Sequence, residues 1–371
     1  MSKKSKPEWV PKDGGKAYTT TVVKGKESQH DGMPGNNNLK HRKTTSRRKL
    51  TIEDYVNGVL KHDRTILAQT ITLIESNSEK HFEMGQEVLR QLLPHTGKSL
   101  RIGITGVPGA GKSSFIEALG CQLMKEDLHL AVLAVDPSSS LSKGSVLGDK
   151  TRMEMLSRHQ NCFIRPSPSG GKLGGVTRKT RETTLICEAA GFDVIFIETV
   201  GVGQNEITVR SMVDFFLLLK IAGAGDELQG IKKGVIELAD AILINKADGD
   251  NLKRAEIARR DFANAMHYLK SPTQGWTPET LTCSALTGDG IYPVWEMIKR
   301  FEGEVRKSGV FEQRRNQQNL GWVHDLVSER LLNKFYTDPK IKAMLPQLEK
   351  DVINGKIPPT QAAWKLLNHE L

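Results

Sequence analysis

Residues 103–114 read GITGVPGAGKSS, and this stretch constrains the fold more than any other. GVPGAGKS (106–113) has the form G-x-x-x-x-G-K-[ST], preceded by the apolar run SLRIGIT and followed by the amphipathic run KSSFIEALGCQLMKE. A strand, a glycine-rich turn and a helix in that order form a phosphate-binding loop. The glycines let backbone N–H groups turn inward around phosphate oxygens, and the helix N-terminus adds its partial positive charge. Nucleotide contacts are therefore expected from Gly106, Val107, Pro108, Gly109, Ala110, Gly111, Lys112, Ser113 and Ser114. Lys112 should reach the terminal phosphates and the Ser113 hydroxyl should ligate Mg2+.

The loop does not choose the base. A later run, AILINKADGDN, places Asn245, Lys246 and Asp248 at the carboxyl end of an expected strand, where ligands sit in open parallel sheets. The N-K-x-D pattern suits guanine: Asp248 can accept from the ring N–H and the exocyclic amine, a donor pair that adenine lacks. Asn245 would support the loop and the base edge, and the Lys246 stem would lie over the purine. After a further strand comes Ser284-Ala285-Leu286, similar to a second guanine-contact loop in which the Ala285 N–H meets the guanine carbonyl. In chain order these motifs specify GTP or GDP.

Around them, short apolar runs alternate with amphipathic helices. Strands are expected at 99–105, 130–136, 193–198, 214–221, 241–248 and 281–286. Continuous apolar strands separated by helices imply an α/β fold, a P-loop NTPase with a mostly parallel sheet covered by helices on both faces. N-terminal and C-terminal helical extensions flank it. The expected division is a disordered basic leader (1–48), an N-terminal helical segment (49–98), a GTPase domain (99–305) and a C-terminal helical segment (306–371).

The formal charge of +10 looks like a nucleic-acid signal until it is located. Residues 1–50 hold 13 Lys or Arg against 4 Asp or Glu, so the body is nearly neutral and no nucleic-acid partner is expected. Cys121, Cys162, Cys187 and Cys283 are scattered without a C-x-x-C pair, which suits a reducing compartment. The first residues lack the apolar core of a secretory signal, and no run reaches the ~20 apolar residues of a membrane span. Lys220 interrupts the greasiest segment. A cytoplasmic location without membrane attachment is expected.

ETVG (198–201) follows the strand DVIFI, at the position where most GTPases carry D-x-x-G. Glu198 would then approach Mg2+, and Gly201 would sense the terminal phosphate. The 85 residues between Ser113 and Glu198 leave room for an extra strand and helix, and hold Asp136 and Asp149. Each is either a Mg2+-shell carboxylate or an exposed turn aspartate. Val202 stands where a water-positioning glutamine is usual, so slow intrinsic hydrolysis is expected, with Arg152 a candidate stabilising arginine.

The blocks AVDPSSS, LGDKTRM, PSPSGGKLGGVTRKTRET, FIETVGVGQNE and AGAGDELQGIKKGVIELAD resemble the MeaB/ArgK family of P-loop GTPases over about residues 51–371. That resemblance implies a homodimer, with contacts from the C-terminal helices. It implies a GTPase that gates adenosylcobalamin loading into, and protects, a cobalamin-dependent acyl-CoA mutase, most often methylmalonyl-CoA mutase. It also implies metal or switch contacts from Asp136, Asp149 and Glu198, and a partner-facing switch carrying Asp226, Gln229 and Lys232. One departure is Lys143-Gly144 where the family commonly has Gly-Gly. Two other readings compete, a metal-insertion GTPase and an arginine- or transport-linked kinase-ATPase. The first lacks a Cys or His cluster, and Asp248 opposes the second.

Overall fold

Six of the seven strands in the computed structural model are runs that burial on both faces requires to be apolar. The described residues are 49–76, 78–135, 153–166, 173–199, 205–223 and 233–368. The strands are β1 (Leu100–Gly106), β2 (Leu130–Val135), β3 (Cys162–Arg165), β4 (Val194–Thr199), β5 (Phe215–Ile221), β6 (Ala241–Asn245) and β7 (Glu279–Thr282). They form one sheet in the order β3-β2-β4-β1-β5-β6-β7, with every pair parallel. β3 is the extra strand for which the long insertion left room. The last strand lies at 279–282 rather than 281–286, so Ser284, Ala285 and Leu286 belong to the loop after it. That shift is physical: a loop expected to contact a base must leave the ladder to turn its amides outward.

Helices cover both faces. α1 (Ile52–Leu60), α2 (Arg64–Glu75) and α3 (Glu79–Leu92) precede the sheet, and α4 (Lys112–Lys125) follows β1. α5 (Glu154–Arg158), α6 (Leu173–Ala189), α7 (Asn205–Arg210), α8 (Lys233–Ile236) and α9 (Leu252–His267) lie between later strands. After β7 come α10 (Ile291–Lys307), α11 (Val310–Thr337), α12 (Pro339–Ile353) and α13 (Pro359–Asn368). Phe115, Ile116 and Leu119 of α4 pack with Val294, Ile298 and Phe301 of α10 and with Ile102, Ile104 and Phe215 of the sheet in one core layer. The opposite layer joins Val59, Leu67, Ile71 and Val88 of α1–α3 to Ile186, Phe262 and the other sheet face. α12 and α13 share a small core of Met344, Leu348 and Ala362.

β1 sits at the centre, and the chain leaves it in both directions: β2 lies beyond β4 on one side and β5 is adjacent on the other. This is the topological switch at which open α/β sheets bind ligands, outside the carboxyl ends of the strands. The phosphate loop, the carboxyl end of β4 and the turn after β6 all lie at that edge.

Candidate nucleotide site

Two glycines of the loop are needed for different reasons. At Gly106, ending β1, a Cβ would stand 2.4 Å from the Leu219 carbonyl oxygen, so the strands could not stay paired. Gly111 precedes α4 with φ +82°, and a Cβ there would meet Asn245 Nδ2 at 2.6 Å. Between them Pro108 and Gly109 are exposed and Ala110 is buried. α4 has no side-chain cap, so its first-turn N–H groups are left for an anion. Lys112 opens that helix, largely buried, and its Nζ donates to the Gly106 carbonyl (2.9 Å) and the Val107 carbonyl (3.2 Å). The ammonium thus lies across the loop whose phosphates it is expected to meet. Val107 is half-buried and Ser114 exposed on the first turn.

Register brings the expected metal-shell pair together. Ile104 of β1 pairs with Glu198 of β4, which carries the carboxylate to the loop's edge. There Ser113 Oγ donates to Glu198 Oε1 at 3.0 Å, joining groups 85 positions apart. One residue on, the Thr105 and Thr199 hydroxyls meet at 2.8 Å, a buried bond that fixes the two strand ends and that sequence reasoning did not find. A hydroxyl and a carboxylate oxygen are the hard donors that Mg2+ takes, so the residues present fit that ion. Among the described residues no group of three or more His, Cys, Asp or Glu converges on a point. Asp136, Asp149, Arg152, Gly201, Asp226, Gln229 and Lys232 lie outside the described residues, as do Lys143, Val202 and the leader 1–48.

The guanine motifs meet in the same way. β6 and β7 pair through Ile244 and Thr282, so the turns that follow stand side by side. Asn245 is fully buried and works as a three-way tie. Its Nδ2 donates to the Ala110 carbonyl of the phosphate loop (2.8 Å), and its Oδ1 accepts from Ala285 N (3.1 Å) and Cys283 Sγ (3.4 Å). Ala285 N–H, expected to meet a guanine carbonyl, is therefore engaged by Asn245 in this structure, as a partly buried donor requires an acceptor. Ser284 Oγ donates to Asp248 Oδ2 at 2.5 Å and accepts from Thr287 N at 3.1 Å. That serine holds one carboxylate oxygen of Asp248 and leaves Oδ1 to a ligand donor. Lys246 is exposed with φ +60°, and Leu286 is exposed beyond the turn.

Two buried titratable groups flank the site. Burial pushes the Cys283 thiol up to about 12, so it stays neutral and serves as a weak donor. Lys220, near the end of β5, is buried without an ion pair among the described residues, and burial alone lowers it to about 8. Its only sequence signal was a charge inside DFFLLLKI.

Similar proteins include ones described as GTPases of one family. The family described as "Methylmalonyl Co-A mutase-associated GTPase MeaB" matches residues 67–340. GTPase ArgK of Escherichia coli is 45% identical over 83% of this chain and 93% of its own length. The mitochondrial methylmalonic aciduria type A homolog of Mus musculus is 44% identical over 84% of this chain and 77% of its own. A solved structure described as a LAO/AO transport system kinase is 39% identical with a TM-score of 0.71, covering 85% of this chain and 96% of that one. The α/β P-loop architecture is thus shared, guanine nucleotide is bound and GTP is hydrolysed; the chain belongs to the MeaB family of GTPases.

Proposed function

We propose that this GTPase is a chaperone for a cobalamin-dependent acyl-CoA mutase, methylmalonyl-CoA mutase first among them, gating adenosylcobalamin loading and protecting the mutase. The observation that carries this reading is the family match over residues 67–340, whose description names association with that mutase. Four unpaired cysteines, three of them buried, suit a cytoplasmic location. No described helix is long and apolar enough to cross a membrane.

The geometry supports a role for each residue. Lys112 and the uncapped amides of α4 neutralise the phosphates, and Ser113 with Glu198 holds Mg2+. The ion supplies charge neutralisation on the terminal phosphates. Asp248, oriented by Ser284, accepts from guanine, while Asn245 couples the base turn to the phosphate loop. Phosphoryl transfer needs positioning more than covalent chemistry, and hydrolysis alone is slow until a partner orders the site. Nucleotide state then matters to a mutase only if that mutase binds the two states differently.

The homodimer reading draws on α11. Leu320, Val323, Val327 and Leu331 recur on the outer side of this 28-residue helix and are each more than half exposed. A stripe at that spacing is a helix-pairing seam, and a second copy of the chain is the proposed occupant. Val327→Asp should convert a dimer to a monomer in size-exclusion chromatography with light scattering.

The decisive experiment is GTP turnover by the purified protein, alone and with a cobalamin-dependent acyl-CoA mutase, with ATP and Lys112→Ala as controls. Acceleration by the mutase supports the chaperone reading. Turnover indifferent to every such mutase rejects it and leaves only the GTPase.

A further inference from the structure

At the amino edge of the sheet, opposite the phosphate loop, a cavity of about 340 Å³ is lined by Arg181 of α6, Arg210 of α7 and Arg314 of α11. Their charges are not balanced. Arg210 holds Asp240 with both terminal nitrogens (2.9 and 3.4 Å), and Arg314 stands 4.0 Å from the same carboxylate. Asp240 is fully buried and also accepts from Phe216 N at 2.9 Å and from the Thr273 hydroxyl. One carboxylate therefore serves two guanidinium groups. The nearby Asp214 is spent on Arg315, at 2.7 and 2.8 Å.

Arg181 is left over. It is only 7% exposed, yet it forms no ion pair among the described residues. Its Nη1 donates to the Gln318 carbonyl (3.2 Å) and its Nη2 to Ser211 Oγ (2.6 Å), while Nε has no partner. The guanidinium stacks over the Trp322 ring at 5.5 Å. Asp325, the acidic residue in the cavity lining, is exposed at the rim. Burial lowers both Arg181 and Arg314 from the usual arginine value, against the opposing pull of Asp325 on the first and of Asp240 and Asp214 on the second.

We infer that this cavity binds a small oxyanion, a phosphate or carboxylate group, between Arg181 and Arg314. Guanidinium forks are matched to such groups, since parallel N–H donors meet paired oxygens. Arg181 spends two of its five N–H donors, so it keeps donors for a guest. The volume exceeds that of a bare phosphate, leaving room for a substituent of several heavy atoms.

The test keeps the phosphate loop out of the measurement. The full chain is saturated with Mg2+ and a non-hydrolysable GTP analogue, then titrated calorimetrically with inorganic phosphate or glutarate at constant ionic strength. One-to-one saturable binding of either anion is expected, weakened about 10-fold or more by Arg181→Gln. Phosphate alone would mark a phosphoryl guest, glutarate alone a carboxylate. Gln317→Glu, at an exposed position of the lining, should compete with the guest and weaken it similarly, which covers the case in which Arg181→Gln does not fold. Neither anion binding, or equal binding by wild type and both variants, overturns the inference.

Discussion

The two edges of the one sheet use polar side chains in opposite ways. At the carboxyl edge they are few and bonded across motifs: Ser113 to Glu198, Asn245 to Ala110 and Ala285, Ser284 to Asp248. At the amino edge they are many and charged. Arg315 reaches Asp214 with two nitrogens, lies 3.3 Å from Glu188 and donates to the Gly97 and Ser99 carbonyls at 3.0 and 2.6 Å. Arg101 donates to the same Glu188 at 2.8 Å, and Arg306 and Arg315 both cover the Phe311 ring. The first edge is the proposed nucleotide edge; the second fastens α11, and with it the C-terminal helices, to the sheet. Damage at one edge should therefore spare what the other does.

The largest effect should come from the fastening. Arg315→Met leaves the buried Asp214 without the guanidinium it pairs with, while Glu188 keeps Arg101; breaking such a pair by removing one partner costs about 3–5 kcal/mol. Denaturant unfolding should show that loss, while GTP affinity of the folded protein stays near wild type. A large loss of affinity would mean the two edges are not separable. Lys112→Ala tests the reverse. It removes the cation lying across the phosphate loop, and GTP turnover should fall by about 100-fold or more. Stability should change less than at Arg315, because Lys112 donates to carbonyls of its own loop rather than tying one element to another through them.

A smaller and more selective effect belongs to Asp248. Asp248→Asn keeps the shape and removes the charge proposed to accept from guanine, so GTP affinity should drop by about 10- to 100-fold. The new amide can donate to a base carbonyl, so xanthosine triphosphate should gain relative to GTP. Competition binding measures both. An unchanged preference would remove Asp248 from the base site.

The difference between the edges also explains what could be read from sequence. Nucleotide chemistry needs fixed residue types at fixed spacings after a strand, so the loop 106–113, Asn245 to Asp248 and Ser284 to Leu286 were legible before any fold was known. The parallel sheet was legible too, because β2 and β4 are apolar on both faces. The arginine network was not. Arg181, Arg210, Arg314 and Arg315 lie far apart in sequence or on helices rich in charge, and any geometry that brings a carboxylate near would satisfy them. The Thr105–Thr199 bond was hidden for the same reason: two threonines 94 positions apart carry no spacing rule. β3 is four residues long and edge-bound, too short for periodicity to mark.

Lys220 crosses the division, a buried cation of the amino-edge kind set at the carboxyl edge, on β5 beside the phosphate-loop strand. Burial lowers it from 10.5 to about 8, with no carboxylate among the described residues to offset the cost. Below pH 8 the ammonium is charged in folded and unfolded chains, and only the folded chain bears the desolvation penalty. Between pH 8 and 10.5 the folded chain has released a proton that the unfolded chain still binds, so stability rises with pH across that window. Lys220→Met should remove both the penalty and the rise. A gain of about 1–3 kcal/mol is expected at pH 7, shrinking toward zero by pH 10.5. Urea unfolding of both proteins at several pH values reads it directly. Parallel curves, with no convergence in alkali, would show that Lys220 has a partner at this edge, and would return it to the site as a charge that the nucleotide end requires.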